Sequence, residues 1–236
     1  MKNKRHFRPL QGALALLTGL SLTANSEGAL ILGTTVESAT IGLNDQMGPE
    51  KAINGFGLDG DAPSLTASHR EQFSSNWWTG WSGDVTEWQL TVDLEDNYDL
   101  DTVQVWNYRE GCCSNRGLST VEIWVSSVED ESQLVKLTTD GNGIHDDGNG
   151  NFLFPQAPTG GEYFGFALDM SGVTNASLLD NVRLFRIDGG SFNHNDGADH
   201  GGLAEIQFGG VLIPEPTSLA LLSLGLVGFL TRRRKA

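Results

Sequence analysis

Two stretches of this 236-residue sequence set an aromatic ring beside side chains that donate and accept hydrogen bonds. One runs from Asn107 through Tyr108, Arg109 and Glu110 to Arg116, and the other from Phe192 through Asn193, His194 and Asn195 to His200. Trp77, Trp78 and Trp81 form a third group. A flat ring can cover the apolar face of a pyranose while Arg, His, Asn and acidic groups satisfy its hydroxyls. Tyr108, Arg109 and His194 are therefore the candidate ligand contacts. The competing reading is structural, with Trp88 and part of the tryptophan cluster filling a core, Arg116 bracing a loop, and the histidines capping turns.

Other groups capable of chemistry carry less. The oxygen-rich stretch from Asp140 to Asn151 invites comparison with a calcium-binding EF-hand loop, but Ile144 stands at position 5, His145 replaces the glycine at position 6, and Asn151 stands where a bidentate Glu belongs. A solvated hairpin loop is the expectation there, with weak calcium binding as the alternative. Cys112 and Cys113 are adjacent, which leaves an eight-membered ring, an intermolecular bridge and two free thiols all open. No further Cys or nearby His completes a zinc set. No nucleophile elbow, metalloprotease helix or phosphate-binding loop is present, so an enzyme is not expected.

These residues sit between two export-like ends. Met1 to Arg8 is basic, an apolar run from about Leu10 to Leu22 follows, and small residues Thr23, Ala24 and Ser26 come next, the layout of a secretory signal peptide. At the other end stand the tripeptide Pro214-Glu215-Pro216, an apolar segment from about Ser218 to Leu230, and the basic cluster Arg232, Arg233, Arg234 and Lys235. This tail resembles the PEP-CTERM sorting signal. The apolar part is shorter than the roughly 17 to 25 residues of an ordinary spanning helix, which suits a temporary anchor, and the basic cluster would stay cytoplasmic. The resemblance implies passage through the inner membrane, processing by an exosortase near the tripeptide, and delivery to the cell surface or extracellular matrix of a Gram-negative bacterium. A permanent single-pass anchor is the rival reading.

Without the ends the cations fall to Lys51, Arg70, Arg109, Arg116, Lys136, Arg183 and Arg186, against about 28 acids, so the remaining part carries roughly −21. Such a surface repels nucleic acid and anionic lipid. Apolar residues alternate with period two at Trp88–Leu94, Val103–Val105 and Val121–Val125, and further strands are expected near 133–137, 163–168, 181–187 and 203–208. No long window keeps a helical period. The expectation is an all-β sandwich or jelly roll over residues 30–212, a signal peptide over 1–29 and a sorting signal over 213–236, with residues 209–213 separating domain from anchor.

In order, the strings EKAINGFGLDGD, WQLTVDL, TVQVWNYRE, NRGLSTVEIWVSS and GGLAEIQF resemble the discoidin family, the coagulation factor 5/8 type C domains of galactose-binding-like jelly-roll fold. The resemblance spans about Ser38 to Gly209. It implies a structural calcium held by carbonyls of the first loop, by its acidic side chain and by a Glu on the last strand. In this chain Asn54 stands where an Asp is expected, Asp59 and Asp61 follow, and Glu205 matches the closing Glu. The alternative is that Asn54-Gly55 is only a turn. The expected function is a non-catalytic carbohydrate-binding or adhesive module acting on extracellular polysaccharide. The alternative is an acidic, calcium-dependent matrix protein that recognises no particular sugar.

Overall fold

The computed structural model describes residues 28–40, 47–78, 88–192 and 201–214. Residues 1–27 of the expected signal peptide, Trp81, His194, Glu215, Pro216 and the apolar tail lie outside the described residues, whereas Ala29, the last residue of that expected peptide, lies in a strand opposite Gly210. Ten strands form: β1 (Ala29–Leu30), β2 (Thr35–Ala39), β3 (Trp77–Trp78), β4 (Trp88–Asn107), β5 (Leu118–Ser126), β6 (Val135–Lys136), β7 (Phe152–Leu153), β8 (Phe166–Ala167), β9 (Val182–Phe192) and β10 (Gly202–Leu212). The helices among the described residues are five short 3₁₀ turns, as the missing helical period predicts. No helix among them is long and apolar enough to cross a membrane.

β4 belongs to both layers of the fold. Its first half pairs antiparallel with β2 and with β9, from Trp88 opposite Gly189 to Asp93 opposite Leu184. Its second half pairs with β10, from Tyr98 opposite Leu212 to Asn107 opposite Leu203, and with β8. Between the halves the chain turns over at Glu95, whose φ is 68°. β5 extends the first layer through β9, while β1 and β3 extend the second through β10. The result is the expected all-β sandwich. Trp88, Leu90, Val92 and Leu94 from one layer meet Val103, Val105, Ile206 and Phe208 from the other in one buried core. Phe185 on β9 and Phe208 on β10 pack edge to face across it, centroids 5.0 Å apart, an arrangement of about 0.5–1.5 kcal/mol beyond burial alone.

The turn in β4 is held by charge. Asp93 accepts the Glu95 amide at 2.7 Å and pairs with Arg183 Nε at 2.6 Å, and Thr35 donates to Glu95 at 2.6 Å. An L-residue at positive φ is disfavoured, so these contacts stabilise a conformation the backbone would otherwise leave.

This reversal creates two poles. Both ends of β4, the start of β5, the end of β9 and the start of β10 lie at one pole, because Asn107 bonds to Leu118 at 2.7 and 2.9 Å and Leu118 stands opposite Phe192. The β4 corner, the end of β5 and the end of β10 lie at the other. Ala29 opposite Gly210 brings the start of the described body there too.

The separator and two of the strands need correction, and the acidic loop forms as a loop. Residues 209–213 are no separator, since β10 stays paired through Leu212 and the Ile213 amide still donates to Asn97 O at 2.8 Å. A register shift at Gly209/Gly210 lets the strand continue past the sequence signal for a break. The strands expected over 163–168 and 133–137 shrink to two residues each because turns and a 3₁₀ segment satisfy the neighbouring backbone. The Asp140–Asn151 loop folds on itself, with Asp146 accepting from Thr139 Oγ1, Gly141 N and Gly148 N and Asp147 capping Asn149 and Asn151.

Asp93→Ala leaves Arg183 with only the more exposed Glu95 and Glu129 nearby and should cost about 3 kcal/mol, the scale of a broken, largely buried ion pair. Urea unfolding measures it, and a loss below about 0.5 kcal/mol would show that the corner does not depend on this pair.

Candidate functional site

The pole opposite the tail gathers the loops 47–76, 108–117 and 155–163, together with the end of β9 at Phe192 and the start of β10 at Gly202. The topology thus unites the described segments that carry Asn54, Asp59, Asp61, Tyr108, Arg109 and Glu205. It does not expose all of their side chains.

Tyr108 and Arg109 are buried, at 0% and 1% exposure, which corrects the expectation that they face a ligand. Their strand-end position turns both inward. Tyr108 OH donates to Glu110 Oε2 at 2.8 Å, and burial pushes its hydroxyl pKa up, reinforced by that carboxylate. Arg109 ties three loops together: Nη1 donates to His69 O, Nη2 to Gly161 O and Nε to Pro158 O at 3.3 Å. Its own amide and carbonyl are clasped by Asn76 at 3.1 and 3.0 Å. Charged donors suit buried carbonyls that no strand partner can reach. His69, beneath the guanidinium, is pulled down to about 4 by burial and is neutral at physiological pH.

Asn107, which closes the mouth of the 108–117 loop, is fully bonded. Its Nδ2 donates to Leu118 O and Pro155 O, and its Oδ1 accepts from Tyr108 N and Leu118 N. Tyr163 OH accepts the Asn107 amide at 3.0 Å, and burial pushes that phenol up to about 12. Cys112 and Cys113 are disulfide-bonded to each other at the exposed tip, closing the alternatives left open above. Trp77 is core, stacked on Trp88 with centroids 4.2 Å apart. Phe164, 52% exposed beside this pole, is an aromatic surface that sequence reasoning passed over because it sits in a segment read as strand.

The four candidate metal residues are not gathered as a carboxylate cluster. Asn54 Oδ1 caps the Phe56 amide at 2.8 Å, Asp59 is exposed, and Asp61 pairs with Arg70 while accepting from Gly57 N. Asp59, Asp61 and Glu205 do not bring three ligand atoms within 4.8 Å of one another. Glu205 differs from the others. It is wholly buried, its Oε1 accepts from Gly55 N at 3.1 Å and from Gln207 Nε2, and its Oε2 has no partner. Gln207 also donates to Ile53 O at 3.0 Å, so the last strand grips the first loop. A Cβ on Gly55 (φ 75°) would lie 2.2 Å from the backbone of Ala62 and Pro63, so only glycine allows this approach. Burial pushes the Glu205 carboxyl well above the usual carboxylate range, and its two hydrogen bonds oppose the shift without reversing it. A buried carboxylate without a cation either keeps its proton or takes a metal. The orphaned oxygen is of the kind a hard cation takes.

Two predictions follow the geometry. Arg109→Ala leaves three carbonyls without their donor and should cost about 3 kcal/mol in urea unfolding; an unchanged midpoint would mean the loops hold without it. In chelator, the raised Glu205 pKa gives stability that is full below the unfolded carboxylate pKa and lost as pH rises through the folded one. The melting temperature of the native chain should therefore fall, relative to Glu205→Gln, on going from acid to neutral pH, and parallel curves would refute a buried titrating carboxyl.

Comparison with known proteins agrees with this architecture. A family model described as the PEP-CTERM protein-sorting motif matches residues 212–235. No curated protein matches the chain. Among solved structures, a fragment of a putative chitobiase from Bacteroides thetaiotaomicron is similar with a TM-score of 0.51 at 15% identity, covering 83% of this chain and 99% of that one. An F5/8 type C domain from Bacteroides fragilis (TM-score 0.48, 16% identity, 80% and 99% covered) and a CBM32 domain of a family 31 glycoside hydrolase from Clostridium perfringens (0.45, 15%, 76% and 96%) are also similar. The chain spans only 16% of the Clostridium perfringens family 89 glycoside hydrolase that it also resembles. The chain carries a PEP-CTERM sorting motif behind a β-sandwich whose structural neighbours are F5/8 type C and CBM32 domains.

Proposed function

We propose that this chain is an exported, non-catalytic carbohydrate-binding module, trimmed by an exosortase near Pro214-Glu215-Pro216 and displayed on the cell surface, with a structural calcium beside Glu205. The observation that carries the reading is the opposition of its poles. The loops rich in hydrogen-bonding groups lie at one end, and the chain leaves toward the sorting motif at the other. A module tethered in this way presents its loops away from the membrane. Extracellular polysaccharide is the partner that suits an acidic surface, since neutral sugars are not repelled and calcium bridges acidic ones. Glu205, Asn54 and carbonyls of the 53–61 loop would hold the ion, which supplies the positive charge that the buried carboxylate lacks. Asp59 and Asp61 lie on the same loop and would contribute through its backbone.

A polysaccharide panel, run in calcium and in chelator, tests the reading. Selective binding that weakens in chelator is expected, and absence of binding to every glycan would sink it. At calcium about a hundredfold above Kd the melting temperature should rise about 5–10 °C. Glu205→Gln should abolish that rise, and an equal rise in the variant would place the ion elsewhere.

A further inference from the structure

The pole from which the tail departs carries a groove that the carbohydrate-binding role does not use. A cavity of about 380 Å³ is lined by Asp96, Asn97, Val128, Asn181, Ile213 and Pro214. A second, of about 340 Å³, shares Ser127, Val128 and Asn181 with it and extends past Val135 and Leu178. The groove is built. Asn97 Nδ2 donates to Ser127 O at 2.7 Å and to Asn181 Oδ1 at 2.8 Å, joining the β4 corner to the ends of β5 and β9, while Asn97 O receives the Ile213 amide. Its lining mixes amide and hydroxyl groups with two open valines, Val128 and Val135, each 48% exposed.

The first residue of the sorting tripeptide, Pro214, is itself a wall of this groove, and pairing of β10 through Leu212 leaves no linker between fold and motif. A protease that grips the chain at the tripeptide cannot avoid the folded face beside it. We infer that this groove is the docking surface for the exosortase, so that the enzyme reads the tail together with the Asn97–Val128–Asn181 face. The inference rests on the sorting reading given above. It commits the groove to the protein that handles the tail rather than to a glycan, since the groove offers the open side chains of Val128 and Val135 and no exposed aromatic ring among its described residues.

The test uses the full chain in a host that carries an exosortase, with an antibody against the folded body reading precursor and trimmed forms in a pulse-chase. Val128→Asp places charge on the rim at a side chain already half in water. A flexible Gly-Ser insert of about six residues between Ile213 and Pro214 moves the tripeptide and all that follows it away from the groove. Both should slow trimming on the order of tenfold, the effect of removing a central apolar contact or separating two linked ones, with melting temperature unchanged. Leu153→Asp, on an exposed site away from the groove, should trim at the native rate. Native-rate or faster trimming of both groove variants would overturn the inference, as would a change in oligomeric mass in Val128→Asp without a change in trimming, which would assign the groove to a second copy. A native chain that is never trimmed would overturn the sorting reading itself, and this inference with it.

Discussion

Asp93 holds the Glu95 amide and the Arg183 guanidinium where β4 turns over, and both poles of the molecule follow from that corner. A single strand supplies the first layer with the Trp88, Leu90, Val92 and Leu94 face and the second with Val103 and Val105. Its reversal places Trp88 and Asn107 at the same end, so the 108–117 loop lies beside β3 and the start of β10. The corner itself, through Asn97, receives the last amide of the body before the sorting motif. One local conformation, disfavoured for the backbone and stabilised by two carboxylates and an arginine, thereby separates a loop-bearing end from a tail-bearing end.

Within the loop-bearing end, two buried charges are treated in opposite ways. Arg109 is desolvated but answered by carbonyl oxygens from two other loops, so its charge becomes a rivet. Glu205 is desolvated and answered on one oxygen only. The low-dielectric interior makes the first arrangement rigid and the second dependent on an external partner, a proton or a cation. The first loop, gripped by Glu205 through Gly55 and by Gln207 through Ile53, is the element whose placement depends on which partner arrives.

Much of the architecture was legible because alternation is a property of neighbouring residues: Trp88–Leu94, Val103–Val105, Val121–Val125 and the closing 203–208 segment all became strands. The tripeptide, apolar run and basic cluster were legible for the same reason, being contiguous. What could not be read was direction. Tyr108 and Arg109 have the chemistry of a sugar contact, yet whether a strand-end side chain turns outward or under the loops depends on Asn76, His69 and Gly161, distant in sequence. That Arg70 stands beside Asp61 was equally hidden from the sequence. The pairing of β10 beyond Gly210 depends on Tyr98 to Leu100 and has no signature in residues 209–213 themselves.

Amide hydrogen exchange of the chain in calcium and in chelator tests this organisation most directly, because it reports each segment separately. Calcium should slow exchange at residues 53–61 and 202–207, with smaller slowing in 108–117, and should leave 95–99 and 127–135 unchanged. Slowing centred on the acidic 140–151 loop, or no change at any segment, would contradict a loop pole organised around Glu205.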